Sequence, residues 1–108
     1  MDFSVYQAAT STTAIYSKDV ALVYTTMGLA SEAGEVAGKV KKVIRDNGGL
    51  MSSQKKAEIA DELGDVLWYV ARLAAHLEID LNDIASLNLI KLTSRKERNV
   101  ISGSGDKR

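Results

Sequence analysis

Residues 28–42 read GLASEAGEVAGKVKK, and residues 60–71 read ADELGDVLWYVA. Within them lie two tetrapeptides of one format, Glu32-Ala33-Gly34-Glu35 and Glu62-Leu63-Gly64-Asp65. Carboxylates at i and i+3 share one face wherever the chain is helical, and both segments read as helix. From about Val20 to Asp46, Val23, Met27, Ala30, Ala33 or Gly34, Ala37, Val40 and Ile44 recur at steps of three and four, which predicts an apolar stripe. Asn47-Gly48-Gly49 ends this helix, because Asn and Gly accept the left-handed conformation. Ser52 or Ser53 caps the next, which runs to about Glu78 with a stripe of Ile59, Leu63, Val66, Val70, Leu73 and Leu77.

The doubled format is costly. Like charges at this spacing repel by a few tenths of a kcal/mol, and a glycine inside a helix costs about 1 kcal/mol against alanine. The same costs accepted twice predict a common cause: two helices packed closely through their glycines, with four carboxylates aimed at one cation. A divalent metal turns that repulsion into attraction. The later helix also carries Glu58, Glu62, Asp65, Tyr69, Arg72 and His76 on one polar stripe, placed to line a cavity.

The ligand type limits the metal. Carboxylates suit hard cations, Mg²⁺ first with Mn²⁺ as a substitute, whereas zinc normally asks for His or Cys. Cysteine is absent, and no glutamate has a histidine three residues on, as a di-iron bundle requires. Neither an EF-hand loop nor a P-loop nor a Rossmann fingerprint is present. Mg²⁺ held by a few carboxylates is a usual arrangement for phosphate substrates. Cations for those phosphates are available on the last helix, where Asn88, Lys91 and Arg95 follow i, i+3 and i+7 on one face; Lys96 and Arg98 follow. Trp68, one turn after Asp65, is placed to stack on a base or to pack; the single histidine, His76, reads as structural.

Outward from this centre, residues 2 to about 13 predict a short helix capped by Asp2 or Ser4, and TSTTAIYSKD (residues 10–19) holds a loop. Asp80 or Asn82 opens the last helix, with Leu81, Ile84, Leu87, Ile90 and Leu92 on one side. Beyond it lies a basic Gly/Ser tail, about residues 96–108, of a composition that is flexible on its own. The expected fold is all-α, one four-helix bundle-like domain spanning residues 1–108 that self-associates to cover leftover apolar surface. Absence of proline and a 45% hydrophobic content agree with that class. A formal net charge of zero argues against a nucleic-acid or membrane partner. No secretory signal and no apolar run of about 20 residues is visible, so the expected setting is the cytoplasm, the host's if a phage encodes the chain.

With these motifs in hand, the chain resembles the MazG-like nucleoside triphosphate pyrophosphohydrolases in their short single-domain, phage-type form. The resemblance spans nearly the whole sequence and is carried by residues 28–42, 60–71 and KLTSRKERNVISGSGD (residues 91–106). It implies an all-α dimer or tetramer with Mg²⁺ at Glu32, Glu35, Glu62 and Asp65, and phosphate contacts from Asn88, Lys91 and Arg95. The chain departs from the family pattern at Ser31, where many relatives carry a second acid, and at Lys107, where phage-type relatives often carry Asn. The implied reaction is metal-assisted hydrolysis of a (d)NTP to its monophosphate and pyrophosphate, with Glu35, or else Glu32, accepting the proton of the attacking water. Purine nucleotides such as dGTP are the first expectation. The alternatives are a diphosphohydrolase for dUTP, dCTP or a modified nucleotide, and a non-enzymatic helical metal-binding or dimerisation module.

Overall fold

A computed structural model describes all 108 residues. It contains four α-helices and no strand: α1 Phe3–Thr10, α2 Ala21–Asn47, α3 Ser53–His76 and α4 Leu81–Glu97. Each boundary has a local cause. Asp2 accepts from the Val5 amide to cap α1, Ser52 from the Lys55 amide to cap α3, and Asp80 from the Asn82 amide to cap α4. Gly48 (φ 59°) and Gly49 (φ 81°) carry the left-handed turn that ends α2. Two single 3-10 turns, Ser11–Thr13 and Lys18–Val20, lie within the predicted loop.

The main packing unit is the α2–α3 hairpin, with α1 laid across α3. Gln7 ties α1 to the α3–α4 turn by donating to the Ile79 carbonyl at 2.9 Å and accepting from the Leu81 amide at 3.0 Å. Ser4 adds a bond to the Asp80 carboxylate at 2.8 Å.

Two expectations about this packing need correction. The face that α2 turns toward α3 is Ala21, Thr25, Leu29, Glu32, Val36, Lys39 and Val43, all buried or half-buried. The predicted stripe lies on the other side: Val23 is 63% exposed, Met27 66% and Ile44 66%. Both faces carry the helical repeat, so periodicity alone could not say which turns inward. Nor do the glycines of the two tetrapeptides pack the helices together, since a β-carbon on Gly34 or Gly64 would meet nothing. The close approach comes instead at Gly28, where a β-carbon would overlap the Tyr69 ring.

The core is thin. Only eight residues are buried, and five of them are apolar: Ala21, Val43, Ala71, Ala74 and Leu81. The chain exposes 7713 Å² at 11.7 kDa, whereas a compact monomer of that mass exposes about 5,900 Å². The excess is apolar in character: Leu63 on α3 and Ile84, Leu87, Leu89, Ile90 and Leu92 on α4 are all open to solvent.

No helix is long and apolar enough to cross a membrane.

Candidate active site

The inward face of α2 brings Glu32 against α3, two turns from Lys39 on the same stripe. On α3, Glu62 and Asp65 are one turn apart and face it. Carboxylate oxygens of Glu32, Glu62 and Asp65 all lie within 4.8 Å of one another. The two halves of the doubled motif therefore do converge, although the glycines are not what bring them together.

Glu35 is exposed and stands outside this close group. It lies near enough to Glu32 to disfavour that residue's charge. The Glu32 carboxyl is held above its ordinary value, first by partial burial and then by the Asp65 and Glu62 carboxylates. Three acids crowded in this way form a site that could hold a divalent cation of the oxygen-seeking kind, because a cation removes the repulsion they exert on each other.

Lys39 was not singled out in the sequence. Its ammonium lies 3.4 Å from Glu62 and is the cation that partly offsets the cluster. The signal was present in the spacing Glu32, Glu35, Lys39, which keeps all three near one face of α2.

A cavity of about 290 Å³ opens beside the acids, lined by Thr13, Glu32, Asp65, Trp68 and Tyr69. Trp68 donates its indole N–H to Thr13 Oγ1 at 2.9 Å and sits edge-on to Tyr69, with ring centres 5.0 Å apart. The aromatic wall and the carboxylates thus share one hollow. Tyr6 of α1 lies near enough to Asp65 to feel its charge; burial first, and then Asp65, push its phenol upward. Further along the polar stripe, Tyr16 Oη accepts from Arg72 at 3.4 Å and pairs with His76 Nε2, while Arg72 also donates to Thr10 Oγ1 at 3.3 Å. His76 is therefore part of a structural network, as its isolation in the sequence suggested.

The basic face of α4 lies elsewhere. Lys91 and Arg95 bond only to the segment that follows α4, and no hydrogen bond or ion pair joins them to the acidic cluster. Asn88 is exposed on the same helix. Arg95 is only 5% exposed. Its guanidinium donates to the Asp106 carbonyl at 2.7 Å, and its Nε has no partner. The Gly/Ser tail is accordingly not the loose end its composition predicts. Arg108 closes it by donating to the carbonyls of Val100, Ile101 and Gly105 at 3.1, 2.7 and 2.7 Å.

Comparison with known proteins identifies the family of the chain. The MazG nucleotide pyrophosphohydrolase domain matches residues 23–100, which include both acidic pairs and the basic face of α4. The chain is 48% identical to the Gene 37 protein of Mycobacterium phage L5 over 114 aligned residues, covering all of both sequences. No solved structure matches. A match over residues 23–100, carrying the converged acids of α2 and α3, places this chain in the MazG nucleotide pyrophosphohydrolase domain family.

Proposed function

We propose that the chain hydrolyses nucleoside triphosphates at the α–β phosphate bond in a Mg²⁺-dependent reaction, releasing the monophosphate and pyrophosphate. The observation that carries this reading is the convergence of Glu32, Glu62 and Asp65 within 4.8 Å beside an aromatic-walled cavity. Glu32, Glu62 and Asp65 hold the ion. Bound there, Mg²⁺ would neutralise phosphate charge and acidify a water. Glu35, exposed and one turn beyond Glu32, is left free to accept the water's proton. Trp68 and Tyr69 offer ring faces and edges to the base. Lys91 and Arg95, with Asn88, stabilise charge on the departing pyrophosphate.

The working protein is proposed to be a homodimer or a homotetramer. The excess of about 1,800 Å² over a compact monomer is what one copy contributes to a large obligate interface. The open α2 face, with Val23, Met27, Ala30, Ala37 and Ile44, is apolar enough to be its centre. In that assembly the basic face of a neighbouring α4 completes the acidic site, since the two carry opposite charge and do not meet within one chain.

Deoxynucleotides are the first substrates to test, purines such as dGTP before dUTP and dCTP. Pyrophosphate release is measured with Mg²⁺ against a panel of individual dNTPs and NTPs. Loss of turnover in Glu35→Gln and in Glu62→Gln is expected. Turnover retained in both variants would overturn the mechanism, and none with any nucleotide would favour a helical binding module.

A further inference from the structure

Residues 99–108 form a closed hook on the end of α4. Asn99 (φ 57°) reverses the chain, and the Val100 amide returns to the Arg95 carbonyl at 2.8 Å. Gly103 (φ 113°) and Gly105 (φ 89°) make turns that side chains rarely adopt. The Arg108 side chain then binds three hook carbonyls, and Arg98 donates to the Arg108 carbonyl at 2.9 Å. The hook carries a single acidic side chain, Asp106. Its Oδ1 lies 3.4 Å from Lys91 Nζ and 3.3 Å from an Arg95 nitrogen.

The two oxygen types of Asp106 do different things. Its backbone carbonyl holds the buried Arg95 at 2.7 Å. Its carboxylate makes only long contacts and is 87% exposed. The carboxylate is thus not needed to fix Arg95; what it supplies is negative charge between two cations. Both cations and an unpartnered, buried Arg95 Nε remain able to take a stronger acceptor. The family model's match ends at residue 100, whereas the phage relative aligns across the hook as well.

Resting on the reading of Lys91 and Arg95 as phosphate contacts, we infer that the Asp106 carboxylate is a built-in competitor for the phosphate seat, displaced by a polyphosphate chain and returning as pyrophosphate leaves. An exposed carboxylate with one charge yields to a polyphosphate with several. Its return helps to expel a product that would otherwise stay on the two cations.

The test is the affinity of the full-length protein for inorganic pyrophosphate with Mg²⁺, by calorimetric titration. Asp106→Asn keeps the backbone carbonyl on Arg95 and removes the charge. It should bind pyrophosphate about three- to tenfold more tightly, the range expected for losing one or two exposed ion pairs. Asp106→Glu keeps the charge and should bind like the parent. Lys91→Gln should bind several-fold more weakly. If Lys91→Gln weakens binding but Asp106→Asn binds no more tightly than the parent, the competitor is overturned and the phosphate seat stands. If Lys91→Gln binds like the parent, the seat falls and the competitor with it.

Discussion

Replacing Glu32 by Gln separates charge from shape at the centre of the acidic cluster. The side chain keeps its volume and its place on the inward face of α2, and loses its negative charge. Its carboxylate lies within 4.8 Å of those of both Glu62 and Asp65. At that distance each like-charge pair repels by about 0.9 kcal/mol with the dielectric constant of water, and more where water is partly excluded. The Lys39 ammonium, 3.4 Å from Glu62, takes back part of this. Without divalent metal, Glu32→Gln is therefore expected to stabilise the protein by about 1–2 kcal/mol, which raises Tm by roughly 4–10 °C for a domain of this length. With metal the order reverses. The parent gains about 2.7 kcal/mol at a Mg²⁺ concentration a hundred times its Kd, and the variant gains little because a carboxylate ligand is gone. The assay is thermal unfolding at one protein concentration, in chelator and across a Mg²⁺ titration. A variant that melts below the parent in chelator, or that shows the parent's full Mg²⁺ shift, would refute the reasoning.

Other perturbations test the frame around the site. Gly28→Ala places a methyl against the Tyr69 ring and should cost about 1–3 kcal/mol in chemical denaturation, as overpacking does. Val23→Glu and Met27→Glu alter side chains 63% and 66% exposed in the single chain. They should lower the mass seen by sedimentation, and an unchanged mass would remove the open α2 face from the assembly. Burial first, and then Arg72 and Lys18, hold His76 below its ordinary value of 6.5, so the native protein binds that proton less readily than the unfolded chain. The associated stability is complete above about pH 6.5 and is lost as pH falls through the lower native value. Unfolding measured from pH 8 to 5 should show a shallower acid-side loss in His76→Gln than in the parent.

How much could be read from the sequence depended on how local the cause was. Helix ends are set by a few neighbouring residues, and Asp2, Ser52, Asp80 and Asn47-Gly48-Gly49 marked them close to where they fall. The acidic centre was legible because the doubled spacing needed only helical geometry and the convergence of two helices. What failed depended on tertiary choice. α2 is apolar on two sides, so its repeat was satisfied by the wrong one. Gly28 sits outside the tetrapeptides, and only the position of the Tyr69 ring gives it a packing role. The hook was hidden because a Gly/Ser composition says nothing of an arginine that reaches back to three carbonyls.

The thin core and the site have one cause. The inward stripe of α2 includes Glu32 and Lys39 at positions that a stability-driven helix pair would fill with Leu or Val. Half-burying these charges forfeits apolar contact along the middle of the hairpin, leaving mainly small residues, Ala21, Ala71 and Ala74, in the buried set. A chain built in this way has little interior, and the proposed assembly would recover apolar burial on another surface. The second apolar face of α2 and the open leucines and isoleucines of α4 are exposed in the single chain and are the surface proposed for it. Converging acids on one side of α2 and an apolar stripe on the other are complementary parts of the proposed arrangement. Weakening the assembly should therefore destabilise the acidic site without any change to its own residues.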